Sequence, residues 1–239
     1  MAAGATEIAD LPVGTYYVRV AATAGSEASA DAVVEIGYGV LDEYVVYLDS
    51  TNGVATNDGY TDKTPVNTLE LAHSQLTALM ENAPAGTTGK IVIVGTYTIN
   101  NTTNTYQMPT HSYPVLITGG KLIYKDASGN KYLCLGGDTT FDDITLKVGT
   151  ASDSYFLFAM GHKLVIGENV TTEPYTSGTS KYYFAVAGGN NSTVSKTDMT
   201  ILSGYWYTVY AGGRNGKVTG DCKLVAKNCS ITRATASRA

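Results

Sequence analysis

Ile91-Val92-Ile93-Val94-Gly95 is a short apolar run closed by glycine. The same device returns at Val115-Leu116-Ile117-Thr118-Gly119, Leu133-Cys134-Leu135-Gly136, Phe158-Ala159-Met160-Gly161, Ala185-Val186-Ala187-Gly188 and Val209-Tyr210-Ala211-Gly212. The closing glycines are spaced by 24, 17, 25, 27 and 24 residues. A period in this range marks a solenoid, whose units cannot bury an apolar face alone and must stack on one another. With strands stacked at about 4.8 Å, the glycine-marked units predict a short rod, on the order of 25 to 30 Å long.

Composition agrees with a β-rich chain. Of 239 residues, 44% are hydrophobic and only 15% charged, with 26 Gly and 18 Tyr. That is enough to bury a sizeable core, and the low charge beside many Gly, Thr, Asn and Tyr suits an extracellular-type surface. The net charge of -5 and the lack of clustered Lys and Arg argue against a nucleic-acid partner. No apolar stretch is long enough to span a membrane. Cys134, Cys222 and Cys229 have neither metal nor redox spacing. Cys134 and Cys222 sit in apolar strand patterns and read as small core residues, and a Cys222–Cys229 disulfide stays open.

Outside the repeat, residues 1–37 read as a separate hairpin. Tyr16–Val20 and Ala32–Ile36 alternate like strands and are joined by the small, polar Thr23-Ala24-Gly25-Ser26-Glu27. Such a pair is marginal alone, which points to the end of a truncated β-sandwich or to packing on the neighbouring segment. Residues 38–86 carry a strand at Tyr44–Leu48, then the turn signals Asp49-Ser50-Thr51-Asn52-Gly53 and Thr56-Asn57-Asp58-Gly59. A helix follows over 68–81, with Leu69, Ala72, Leu76, Leu79 and Met80 on one face, Asn67 as N-cap and Pro84-Ala85-Gly86 as the stop. Lying before the first repeat at 87–239, this helix is placed to cover the open end of the stack, which would otherwise template aggregation.

The order strand, Asn/Asp-Gly loop, Pro and Thr-Leu helix from Tyr44 to about Ile99 resembles the N-terminal cap of pectate-lyase-like, right-handed parallel β-helices of bacterial surface proteins. Phe141–Leu146, Leu164–Val170 and Tyr210–Gly216 resemble coils of that family. Leu11-Pro12-Val13-Gly14-Thr15-Tyr16-Tyr17-Val18-Arg19 resembles the closing hairpin of small β-sandwich repeats in Gram-positive surface proteins. The fold expected is therefore all-β: a right-handed parallel β-helix of roughly six coils, with one capping helix and an N-terminal hairpin. Met1-Ala2-Ala3-Gly4 is no signal peptide, and the last coil reaches Ala239 without a recognisable cap. An excised piece of a larger exported protein, extracellular or in the cell wall, is expected.

Aligning the last coils suggests a binding face. A shift of 24 places Ala187–Asn190 on Ala211–Arg214 and Tyr182-Tyr183 on Trp206-Tyr207, while Met199-Thr200-Ile201 falls on Cys222-Lys223-Leu224 at a shift of 23. Tyr155, Tyr182 and Trp206 then form one column, and Phe156, Tyr183 and Tyr207 another. Together with Tyr205, Tyr210 and Arg214 they make a candidate aromatic ladder for stacking on sugar rings or docking a protein. Alternation along a strand sends about half of the rings inward.

Catalytic patterns are sparse. Asp142-Asp143 is an acidic pair, yet neighbours on one strand face opposite ways. Asp138, Glu168 and Gly161-His162-Lys163 lack the partner motifs of a polysaccharide lyase or glycoside hydrolase. Asp49, Asn52, Asn57, Asp58 and Asp62 could offer oxygen ligands to calcium, but the same residues are what tight turns select. His73 has no metal partner at helical spacing and reads as a surface residue. The function expected is a non-catalytic, cofactor-free, monomeric binding or adhesion module for a glycan, a glycoprotein or a host protein such as an immunoglobulin. The alternatives are a spacer displaying other domains and a carbohydrate-active enzyme.

Overall fold

Alternating burial along each short strand builds the architecture: Gly89–Ile93, Ile144–Val148 and Thr197–Ile201 each bury every second residue. A computed structural model describes residues 14–18 and 32–36, together with 44–236 except 102–104, 127–130, 152–154 and 191. The chain divides into two units, 1–42 and 43–239. In the first, β1 (Gly14–Val18) and β2 (Ala32–Ile36) pair antiparallel with Tyr16 opposite Val34. The Leu11–Val13 and Thr23–Glu27 segments lie outside the described residues.

The second unit begins with β3 (Val45–Leu48) and the helix α1 (Leu69–Met80). The first turn then runs β4 (Gly89–Ile93), β5 (Thr96–Asn101) and β6 (Thr105–Gln107), and the second β7 (Val115–Thr118), β8 (Lys121–Asp126) and β9 (Lys131–Cys134). The third contains β10 (Thr139–Phe141), β11 (Ile144–Val148) and β12 (Tyr155–Phe158). The fourth has β13 (Lys163–Ile166), β14 (Val170–Glu173), a protruding antiparallel hairpin of β15 (Tyr175–Ser177) and β16 (Ser180–Tyr182), and β17 (Ala185–Gly189). After β18 (Thr197–Ile201) and β19 (Tyr205–Gly213) come β20 (Cys222–Ala226) and β21 (Ser230–Thr235).

Corresponding strands stack in parallel into three sheets: β3-β4-β7-β10-β13-β18-β20, β5-β8-β11-β14 and β6-β9-β12-β17-β19-β21. The second unit is thus a β-solenoid of about 5 turns, with a single helix among the described residues, and stacked repeats are what the glycine-closed runs predict. The glycine marks number one more than the turns, because Gly119 and Gly136 close two strands of the same turn. This explains the short interval of 17 residues between them. Among the described residues no helix is long and apolar enough to cross a membrane.

The register corrects two alignments. Met199 pairs with Leu224 and Thr197 with Cys222, so the true neighbour lies two residues beyond the one the sequence pattern selects. A two-residue slip keeps every side chain on its own face, which is why the pattern looks equally good in both registers. Gly189 does pair with Gly213, but Ala187 pairs with Tyr210 and a bulge separates the two pairs. Cys222 consequently starts an edge strand and is exposed rather than core.

The helix caps the stack. Its N-cap is Thr68, whose hydroxyl accepts the Leu71 N–H, rather than Asn67. Leu69, Ala72 and Leu76 are fully buried in the same core as Val46, Ile91 and Tyr97. The Tyr97 hydroxyl on β5 accepts the Leu69 N–H at 3.0 Å, and the Tyr106 hydroxyl on β6 donates to Glu70 at 2.6 Å. With packing on β3 and β4, α1 therefore touches the terminal strand of all three sheets.

Candidate functional site

Where the eight aromatic and arginine candidates lie follows from strand parity. On β19, Trp206 points inward and is 0% exposed, so its neighbours Tyr205 and Tyr207 point out, at 39% and 37%. The Tyr205 ring meets Tyr183 with centroids 4.3 Å apart, and its hydroxyl is 2.7 Å from that of Thr232 on β21. Tyr205 and Tyr207 on β19, with Tyr183 from the connection before β17, thus make one short outward strip beside the third sheet.

The other five are taken out of the predicted ladder. Tyr155 is completely buried, bonded to the Thr150 hydroxyl and packed edge-on against Tyr124 and Phe184. Tyr155 is therefore followed in register by Phe184, not Tyr182, and the Tyr124–Tyr155–Phe184 aromatic series is internal. Tyr182 pairs with Tyr175 across the β15–β16 hairpin, an insertion in the fourth turn.

Tyr210 and Arg214 belong to a second apolar cluster, on the outward side of the third sheet: Tyr132, Cys134, Phe156, Phe158, Ala185 and Ala187. Strand β12 is buried at every position because both its faces are covered. The Arg214 guanidinium lies 4.3 Å from the Phe156 ring centre and donates to the Tyr132 hydroxyl at 2.6 Å. A cation seated on aromatic faces in this way serves packing, and the ring electrons hold it there. Burial in the same cluster pushes the Cys134 thiol up to about 12. The three cysteines are free. A maleimide probe is accordingly expected to label exposed Cys222 within minutes and to reach Cys134 only on unfolding; rapid labelling of Cys134 in the folded chain would contradict this packing.

The acidic candidates are engaged by backbone. Asp142-Asp143 lies in the turn between β10 and β11, with Asp143 at φ 48°, and not on a strand as the sequence suggests. Asp142 accepts the Asn169 N–H at 3.0 Å, and Asp138 accepts the Lys163 N–H at 2.8 Å, each one turn further along. The loop oxygens close local turns: Asp49 accepts from Thr51, Asn52 and the Asn52 amide, which hold its carboxyl below the usual range. Asp58 accepts the Thr64 hydroxyl at 2.7 Å, the Asn57 amide donates to Pro65, and Asp62 is exposed. Among the described residues no three of His, Cys, Asp and Glu are grouped so as to hold a metal.

His73 departs most from expectation. It is 2% exposed, stacked on His111 with centroids 5.5 Å apart, and neither of its ring nitrogens has a hydrogen-bond partner. Burial, with the nearby His111 adding to it, pushes its pKa down to about 4. His111 is also lowered by burial, while its bond to the Tyr113 carbonyl and the nearby Asp138 oppose the shift.

Sequence reasoning did not identify the outward face of the second sheet. Parallel register places Thr98, Ile123, Lys147 and Glu173 in one row and Asn100 beside Lys125 in the next. Glu173 takes Lys121 Nζ at 2.9 and 2.8 Å and Lys147 Nζ at 3.6 Å, which lowers its pKa. Period-two alternation could have exposed these lysines as a set, had the register been known. Comparisons with protein-family models, curated proteins and solved structures give no match to this chain.

Proposed function

We propose that this chain is a non-catalytic binding module of an exported, surface-displayed bacterial protein, and that it captures glycan-bearing ligands through Tyr183, Tyr205 and Tyr207. One observation carries the reading. The exposed large apolar side chains among the described residues are Val54, Val94, Tyr205 and Tyr207, and the two tyrosines share one face of one strand. Tyrosine rings with a polar tip suit both sugar stacking and protein contact, and a rigid sheet presents them at little entropic cost. The cell-surface setting rests on the likeness of the Tyr44–Ile99 segment to β-helix caps of surface proteins, and on a surface poor in charge.

The test is capture on an immobilised panel of mucin-type and plant glycans, beside immunoglobulin. Tyr205→Ala and Tyr207→Ala are each expected to weaken capture about tenfold or more with the unfolding midpoint unchanged. Absence of any capture by the wild-type chain favours a spacer. Turnover of a glycan would return the enzyme reading.

A further inference from the structure

The second sheet carries a cleft of about 410 Å³, inside the range of roughly 300 to 1,000 Å³ typical of ligand sites. Thr98, Asn100, Lys125, Lys147, Gly149 and Tyr175 line it. Its shape depends on Gly149. A Cβ there would lie 2.7 Å from Lys125 Cβ and 2.9 Å from Lys125 Cα, so a side chain would clash and the backbone stays bare beside Lys125. The requirement comes from close approach rather than from an unusual dihedral.

Among the described residues, cationic side chains outnumber carboxylates at the cleft. The Glu173 carboxylate is engaged by Lys121 through both oxygens at 2.8 to 2.9 Å, leaving Lys147 only a 3.6 Å contact with the same group. Lys125 has no ion-pair partner among the described residues. Two ammonium groups, Lys125 and Lys147, thus flank one cleft, and among the described residues Glu173 is the carboxylate paired there. Both cations are lysines. A lysine ammonium engages a tetrahedral oxyanion such as a sulfate ester as a compact point charge. Tyr175, partly buried against the core, also lines the cleft, and Thr98 and Asn100 bring a hydroxyl and an amide suited to sugar hydroxyls.

We infer that this cleft binds a sulfated sugar residue, with Lys125 and Lys147 on the sulfate ester and the Tyr175 ring against the sugar. The site extends the glycan reading to a second sheet and shares no residue with the Tyr183–Tyr207 strip, so either can fail alone.

Calorimetry at low ionic strength with chondroitin sulfate, and with the same polymer desulfated but retaining its carboxylates, tests the assignment. The sulfated polymer is expected to bind at least about tenfold more tightly, with the difference shrinking as salt rises. Lys125→Gln with Lys147→Gln should bring the sulfated polymer down to the desulfated level, and Lys125→Arg with Lys147→Arg should restore most of the loss. Gly149→Ser should weaken binding with both lysines in place. Lys223→Gln, which removes a lysine paired with Asp198 on the first sheet, should change nothing. Equal binding of the two polymers, binding of neither, an unaffected double glutamine variant or an equal loss in Lys223→Gln each overturns the assignment. Tyr205→Ala with Tyr207→Ala should leave the preference for sulfate intact even where it weakens overall capture.

Discussion

Replacing Trp206 with alanine is expected to lower the unfolding free energy by about 3 to 5 kcal/mol. The indole is the largest fully buried side chain in the described chain, and its Nε1–H donates to the Ser203 carbonyl at 2.9 Å. Truncation leaves a cavity in a core that can collapse only by breaking strand register, and it leaves the carbonyl without its partner. Gly204 sits against the ring at φ +83°, with space for a Cβ only 3.1 Å from Nε1, so the turn has no side chain to fill the gap. Trp206 is the single tryptophan. Unfolding of the variant is therefore followed by circular dichroism in urea. A loss under about 1 kcal/mol would mean that the third sheet is not packed around this ring, whereas Trp206→Phe should recover part of the loss.

Acid should produce the second large loss, through His73. Its folded-state pKa is depressed to about 4 from an ordinary 6.5, so between those values the unfolded chain binds more protons than the folded one. Stability is then complete above about pH 6.5 and falls as the pH drops through the window, by about 1.4 kcal/mol per unit and about 2 kcal/mol by pH 5. His111 shifts in the same direction through burial and adds to the slope, with His162 reinforcing the shift and Asp138 opposing it. The Asp49 and Glu173 carboxylates are lowered, so what they contribute is lost only further down, from ordinary carboxylate values toward lower pH. Urea titrations at pH 7 and pH 5 measure the loss. His73→Leu keeps the apolar volume without the proton and should flatten most of the dependence. The same loss in His73→Leu would assign the acid sensitivity elsewhere.

The parts of the fold that rest on period were legible, and those that rest on register were not. Alternation in Ile144–Val148 and a helical stripe in Leu69–Met80 read directly as elements. A glycine after an apolar run marks a turn after the first sheet at Gly119 and after the third at Gly136, and nothing in the residues says which. The eight-residue hairpin from Tyr175 to Tyr182 has no counterpart in the next turn. The bulge between Ala187 and Gly189 changes the register from a shift of 23 to one of 24, which is why the pattern aligns Tyr182 with Trp206 although Tyr182 lies in the hairpin. His73 had a signal that residue type obscured: it stands four residues after Leu69 and three before Leu76, on the buried stripe. Tyr205 and Tyr207 were named together with Trp206 because local sequence gives the alternation but not its phase.

Arg214 has a consequence for how the rod comes apart. It follows the fifth turn's β19, yet it holds Tyr132 on β9 of the second and Phe156 on β12 of the third, crossing the fourth where Ala185 and Ala187 leave room. Stacked repeats ordinarily behave as a one-dimensional chain in which each unit feels only its neighbours and the ends fray singly. A side chain that bridges to non-adjacent turns breaks that rule, because its energy belongs to no neighbouring pair. Turns two to five are therefore expected to unfold as one block, with fraying from the C-terminal side halting at Arg214.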